Sequence, residues 1–210
     1  MCIRDRRDGI EVKVEVNYVM RGTVRPVALA GLSARAQEVL QAELDIPVVS
    51  LEDVYGGKLV AAMDRQHPRD LFDVMQLLAH GGITDGIRRA FVVYLASHNR
   101  PIDEVLFPPL RDVRQSFESN FVGMTTEPVE LDALLAARDR MIATLQQGLD
   151  SDERAFLLSL ADAAPDWERL DVPHLSEMPA IQWKLQNLVK LKASNPAKFE
   201  AQSKALAEKL

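Results

Sequence analysis

Residues 50–74 read SLEDVYGGKLVAAMDRQHPRDLFDV, and this stretch predicts two consecutive helices joined by a short turn. Ser50 can accept a hydrogen bond from the backbone N–H of Asp53, which is a common way for a helix to begin. The first helix is predicted to run to Arg65 or the residue after it. Pro68 suits the first turn of the second helix, because its ring fixes a helical φ. In that turn the backbone N–H group, which proline lacks, would have no hydrogen-bond partner within the helix.

Gly56 and Gly57 lie in the second turn of the first predicted helix, where each costs about 1 kcal/mol relative to alanine. Glycines at such positions permit the close approach of another backbone or of a ligand. If a ligand approaches, Lys58 is placed to meet phosphate oxygens as a compact positive charge. The alternative is tight packing of this helix against a sheet, with Lys58 solvated. The sequence leaves both interpretations open.

Five charged residues of this stretch could carry chemistry. Lys58 and Arg65 are seven residues apart and therefore lie on one helix face. Arg69 and Asp73 are four apart on the next helix, with Asp70 between them. They form either an intrahelical ion pair that contributes little to stability or a buried network that positions catalytic groups.

The segments around this stretch predict an α+β fold. Residues 10–16 alternate apolar and charged side chains, which is the period of a half-buried strand. Further strands are predicted over residues 24–29 and 46–49, with a helix over 35–43. Beyond Gly82 the pattern is helical, near residues 83–97, 110–121, 128–148, 152–163, 179–193 and 196–209.

The domain organisation follows from this change of pattern. Residues 8–82 are predicted to form an α+β core, and residues 83–210 a helical region that is either a second domain or a cap. Prolines near residues 101 and 107–109 give a weak linker signal. Residues 1–7, MCIRDRR, lead into a strand without a turn and look like a non-native leader, so we expect the native protein to begin further upstream.

Composition excludes several classes of protein. With 210 residues, 47% of them hydrophobic, the chain can bury a sizeable core. The longest apolar run, residues 90–96, is far shorter than the roughly 18 residues that a membrane-spanning helix needs. The single cysteine, Cys2, excludes a disulfide framework. We therefore expect a soluble, cytoplasmic protein that does not enter a membrane.

The charge is distributed unevenly along the chain. A net charge of −6 argues against a protein that coats nucleic acid through bulk positive charge. Residues 184–210, however, contain six lysines against two glutamates. This basic segment is either a solvated helix face or an RNA-contacting surface.

Glu15 is a further candidate, on the polar face of the predicted strand over residues 10–16. A carboxylate on a central strand beside a lysine-bearing helix could hold Mg²⁺ or act as a base. The alternative is a solvated strand face. One carboxylate does not make a two-metal site, which needs acidic side chains that converge on ions about 4 Å apart.

Three segments resemble the AbiEii/AbiGii toxin family of nucleotidyltransferase-fold proteins from bacterial toxin–antitoxin and phage-defence systems. They are IEVKVEVN at residues 10–17, the stretch 50–74, and MPAIQWKLQNLVKL at residues 178–191. The resemblance implies a mixed sheet with flanking helices and a helical C-terminal region. It also implies that a nucleotide is transferred from an NTP, with Mg²⁺, to an RNA acceptor such as tRNA. A cognate antitoxin is the implied protein partner.

The resemblance implies roles for individual residues. Glu15 resembles the third carboxylate of the metal site, and Lys58 resembles a catalytic lysine that contacts the nucleotide phosphates. The family pattern R-x-x-x-R-D-x-x-D is matched by Arg65, Arg69, Asp70 and Asp73. The resemblance implies that Asp73 is catalytic. It implies that the other three residues bind nucleotide or organise the site.

Two features of the family pattern are missing from this sequence. A Gly-Ser turn and a D-x-D pair should precede the Glu15 strand, but the chain has no Gly-Ser dipeptide, and its lone D-x-D, residues 150–152, is typical of a helix cap. We therefore expect a truncated toxin whose two-metal site is incomplete. The alternative is a nucleotidyltransferase-like module that binds RNA or a protein without catalysis.

Overall fold

The computed structural model describes the backbone of residues 2–7 and 10–15, and the backbone and side chains of residues 22–210. Strands β1 (Cys2–Arg7) and β2 (Ile10–Glu15) pair antiparallel, with Cys2 opposite Glu15. Strands β3 (Ala28–Gly31) and β4 (Asp45–Val48) form a second antiparallel pair. The strand predicted from residue 10 is therefore confirmed, and the expected leader contains a strand that the sequence did not predict.

Helices make up most of the structure, and the predicted α+β class is confirmed. Two 3₁₀ turns, Trp167–Arg169 and Leu175–Glu177, lie between the eighth and ninth helices. The α-helices are α1 (Ala34–Leu40), α2 (Leu51–Arg65), α3 (Pro68–Ala79), α4 (Asp85–Ala96), α5 (Ile102–Leu106), α6 (Arg114–Asn120), α7 (Leu131–Gly148), α8 (Ser151–Ala161), α9 (Pro179–Ser194) and α10 (Pro196–Ala207). In the part of the chain that the structure describes, no helix is long and apolar enough to cross a membrane.

Local capping sets the limits of α2 and α3, as predicted. The hydroxyl of Ser50 accepts from the backbone N–H of Asp53 at 3.0 Å. Pro68 opens α3, and the ring of His67 caps that helix by accepting from the N–H of Arg69 at 3.3 Å. Between the two helices, Gln66 takes a left-handed conformation with φ 51°.

The strand predicted over residues 24–29 is wrong in its position. β3 begins only at Ala28. The preceding backbone is held by a side chain instead, since the N–H groups of Val24 and Arg25 donate to the carboxylate of Asp53. These two N–H groups are therefore satisfied by a contact 28 or 29 residues away in sequence.

The hydrophobic core is centred on α2 and α4, which join the two predicted regions of the chain. Leu59 and Met63 of α2 and Phe91 and Leu95 of α4 are fully buried. The segment between the prolines is part of this core and not an exposed linker, because α5 contributes three buried apolar side chains: Ile102, Val105 and Leu106.

The segment around β3, α1 and β4 contrasts with this core. None of residues 26–48 is buried. Large apolar side chains there, such as Leu29 and Val39, are about 70% exposed. The helices from α2 onward therefore provide the buried scaffold for the candidate site.

Candidate functional site

Lys58 and Asp73 form an ion pair between α2 and α3. The Nζ of Lys58 lies 2.5 Å from Oδ2 of Asp73. The two side chains are 43% and 37% exposed, so the pair is open to solvent and to ligands. The sequence predicted for Asp73 either an ion pair with Arg69 within one helix or a place in a buried network. The observed pair instead links two helices and brings two of the three predicted catalytic residues into contact.

Arg65 and Asp70 form a second ion pair across the same turn, at 2.8 Å. Arg65 is largely exposed, whereas Asp70 is 16% exposed. The other oxygen of Asp70, Oδ2, is buried and accepts no hydrogen bond from residues 22–210. The guanidinium of Arg69 is exposed and pairs with no side chain among residues 22–210. Neither sequence alternative, an intrahelical pair or a buried network, describes this arrangement.

An open cavity of about 430 Å³ lies at the turn between α2 and α3. Its described lining consists of Arg65, His67, Arg69 and Asp70. Two guanidinium groups at the rim favour an anionic ligand. A larger cavity, of about 550 Å³, is lined mainly by residues 150–153 and 167–176 and shares no described lining residue with the motif.

The two glycines of α2 have different surroundings. A Cβ on Gly56 would lie 2.8 Å from the carbonyl carbon and the Cβ of Ala90, so this glycine lets α2 and α4 come into backbone contact. A Cβ on Gly57 would meet no described atom within 4 Å. Close packing therefore explains Gly56, with a helix and not a sheet as the neighbour, and leaves Gly57 free for another role.

Glu15 is the last residue of β2, but its side chain lies outside the described residues. Its contact with Lys58 and its role as a metal ligand stay predictions. Among residues 22–210, no group of three or more His, Cys, Asp or Glu side chains could hold a metal ion. The described side chains therefore do not by themselves fit a two-metal site.

Asp53 is a structural residue that the sequence showed only as part of a helix cap. It is 4% exposed and accepts four long-range or capping hydrogen bonds. The donors are the N–H of Val24 at 2.6 Å, the N–H of Arg25 at 3.1 Å, the hydroxyl of Ser50 at 2.8 Å and the phenol of Tyr94 at 2.7 Å. Burial, together with this hydrogen bond, raises the pKa of Tyr94.

Lys184, in the third family-like segment, is 5% exposed and holds the loop that follows α4. Its Nζ donates to the carbonyls of His98 at 2.8 Å and Arg100 at 2.7 Å. Burial lowers the pKa of this amine to about 8. Arg100 in turn pairs with Asp64 of α2, so Lys184 is a core residue and not part of a basic surface.

The five remaining lysines of residues 184–210 are exposed, and two of them make contacts with other elements or rings. Lys209 lies 3.1 Å from Asp103 and over the ring of Phe107. Lys192 lies over the ring of Phe199. Both predicted interpretations of the basic segment, a solvated helix face and an RNA-contacting surface, therefore stay predictions.

One comparison with known proteins identifies the family. A family model described as nucleotidyl transferase AbiEii toxin, Type IV TA system, matches residues 2–187. No curated protein and no solved structure matches the chain. The family match spans most of the chain and includes the two helices that carry the Lys58–Asp73 pair. The chain therefore belongs to the AbiEii family of nucleotidyl transferase toxins of Type IV toxin–antitoxin systems.

Proposed function

We propose that this chain transfers a nucleotide from an NTP to an RNA acceptor such as tRNA. The observation that carries the proposal is the contact between Lys58 and Asp73, which brings a cation and a carboxylate together from two helices. Both groups are accessible, as groups that meet substrate must be. Membership of a family of nucleotidyl transferase toxins supports this reaction class.

The proposed reaction assigns a separate task to each member of the pair. A hydroxyl oxygen of the RNA attacks the α-phosphorus, while the bond from that phosphorus to the bridging oxygen breaks and pyrophosphate leaves with the bonding electrons. Asp73 accepts the proton of the attacking hydroxyl. Lys58 neutralises charge on the phosphate oxygens. Substrate binding then replaces the contact between the two side chains with contacts to phosphate and hydroxyl.

The cavity at the α2–α3 turn supports an anionic substrate. The guanidinium of Arg69 is exposed and can bind a ligand, and the guanidinium of Arg65 forms an ion pair with Asp70. We assign these two arginines to binding of the nucleotide or RNA phosphates. A role of Mg²⁺, with Glu15 as a ligand, stays a prediction from the resemblance.

The test is a transfer assay with total tRNA, Mg²⁺ and each of the four NTPs labelled at the α-phosphate, run on the 210-residue chain and on the same chain extended by the residues encoded directly upstream. We expect at least one NTP to label RNA. Lys58→Met should lower the rate about 100-fold or more, because it removes a charge from the transition state. Arg140→Met, at an exposed arginine of α7 without a described side-chain partner and outside the basic segment, is the control and should leave the rate unchanged.

Absence of labelling with every NTP contradicts the proposal. RNA binding that survives EDTA and weakens steeply with salt, without any transfer, would instead support the non-catalytic binding module.

As a toxin of a Type IV system, the chain is expected to be countered by a cognate antitoxin. We propose that it acts in the cytoplasm, where tRNA is available. Expression should arrest growth, expression of Lys58→Met should not, and co-expression of the antitoxin should restore growth. Equal toxicity of the parent chain and Lys58→Met would separate toxicity from transfer.

A further inference from the structure

Gln66 is the one residue between the end of α2 and the N-cap of α3, and its conformation sets the angle between these helices. Its φ of 51° lies in the left-handed region, which is unfavourable for a residue with a Cβ. Its backbone N–H still donates to the carbonyl of Ala62 at 3.0 Å, so the bend occurs immediately after the last helical turn. A left-handed residue commonly ends a helix, and at Gln66 additional contacts hold the bend.

Those contacts come from the side chain of Gln66, which is completely buried. Its amide nitrogen donates to the carbonyl of Pro109 at 2.8 Å, and its amide oxygen accepts from the N–H of Arg111 at 3.0 Å. Arg138 of α7 donates to the carbonyl of Arg111 at 3.1 Å. The α2–α3 turn is therefore tied to the loop after α5 and, through that loop, to α7.

The bend matters because both ion pairs of the candidate site cross it. Lys58 lies eight residues before Gln66, and Asp73 lies seven after it. Eight helical residues span about 12 Å, so a change of about 10° in the interhelical angle moves Lys58 by roughly 2 Å. A misplacement of about 1 Å can lower a catalytic rate by about 100-fold.

We propose that Gln66 is a positioning residue for nucleotide transfer: its side-chain amide fixes the α2–α3 angle at which Lys58 and Asp73 meet. This inference rests on the proposed function, because the reaction that it positions is the one assigned above. Gln66 itself touches no substrate. It acts through the angle between the two helices that carry the reacting groups.

The test compares Gln66→Met with Gln41→Met. Methionine has nearly the length of glutamine but cannot make either hydrogen bond. Gln41 is a matched control, because it also ends a helix in the left-handed conformation, with φ 50°, yet it is exposed and bonds only within its own helix end. We expect Gln66→Met to lower kcat about 10- to 100-fold with a smaller change in KM for the NTP, and Gln41→Met to leave both within about twofold.

A second measurement does not depend on activity. Crystal structures of the parent chain and Gln66→Met should show the separation of Lys58 Nζ and Asp73 Oδ2 growing beyond 4 Å in the variant. If the parent chain transfers nucleotide and Gln66→Met keeps both its kcat and this separation, the inference is overturned. If the parent chain transfers nothing, the proposed function fails, and the separation alone decides whether Gln66 positions the pair.

Gln66→Asn provides the same test should the methionine variant fail to fold. Asparagine adopts positive φ more readily than other side chains, and it keeps the amide. It is one methylene too short to reach both Pro109 and Arg111. The same loss of kcat and the same wider separation are expected, and parental values of both would overturn the inference.

Discussion

The phenol of Tyr94 donates a hydrogen bond to the carboxylate of Asp53 across 2.7 Å, joining the last turn of α4 to the first turn of α2. Asp53 is buried, and its other donors are two backbone N–H groups and one hydroxyl. A carboxylate in this position needs its donors, because each lost donor leaves charge uncompensated inside the protein. The start of the motif helix is thus held by a contact 41 residues away.

Tyr94→Phe is expected to lower the free energy of unfolding by about 1.5–3 kcal/mol, the range for a hydrogen bond to a charged group. Urea denaturation measures this change. Tyr55→Phe is the control, because the hydroxyl of Tyr55 has no partner among residues 22–210, and it should change stability by less than about 0.5 kcal/mol. Equal effects of the two substitutions would show that the Asp53 contact contributes nothing specific.

The buried amine of Lys184 predicts a pH dependence of stability. Its pKa is lowered from 10.5 to about 8 by burial, so between these values the unfolded chain binds more protons than the folded chain. The free energy of unfolding should therefore rise by up to about 3 kcal/mol as the pH rises from about 8 to 10.5, and this group should make no pH-dependent contribution below about 8. Urea denaturation of the parent chain and of Lys184→Met across this range isolates the contribution. Parallel profiles would contradict the assignment.

The neighbouring glycines of α2 should respond in opposite directions to alanine. Gly56→Ala forces a Cβ against the backbone of α4 and should lower the free energy of unfolding by about 1–3 kcal/mol. Gly57→Ala meets no described atom and should raise it by up to about 1 kcal/mol through helix propensity. Thermal and urea denaturation of the two variants test this. A loss of transfer activity in a stabilised Gly57→Ala variant would show that substrate uses the open space.

Lys58→Met and Asp73→Asn should separate stability from activity. Both side chains are well exposed, so the ion pair should contribute less than about 1 kcal/mol to folding. Nucleotide transfer should nevertheless fall about 100-fold in each variant, since both groups meet the reacting atoms in the proposed mechanism. A double-mutant cycle on stability, combined with initial rates, measures both quantities. Unfolding of either variant at room temperature would contradict the exposed, functional interpretation of the pair.

Features set by neighbouring residues could be predicted from the sequence. The cap at Ser50 and the start of α3 at Pro68 depend on atoms within three residues, and both are as expected. The clustering of Lys58 and Asp73 in one motif was also visible in the sequence. Their direct contact was not, because it depends on the angle set by the turn at Gln66.

Features set by distant residues could not be predicted. Residues 24–29 have the composition of a strand, yet the carboxylate of Asp53 takes the backbone N–H groups of Val24 and Arg25. Lys184 belongs to a lysine-rich segment, but its amine is buried against two carbonyls more than 80 residues away. Each outcome depends on which distant segment packs beside the residue. The spacing of apolar and polar residues in a single sequence does not show which segments pack together.

The contrast between residues 26–48 and the α2–α4 core has a consequence for local unfolding. With no buried side chain, residues 26–48 can open at little free-energy cost, whereas the amides at the centre of α2 and α4 are protected until the whole core opens. Hydrogen exchange should therefore divide the chain into an early-exchanging unit and a late-exchanging unit. The Lys58–Asp73 pair belongs to the second, so the geometry of the candidate site should survive opening of the first.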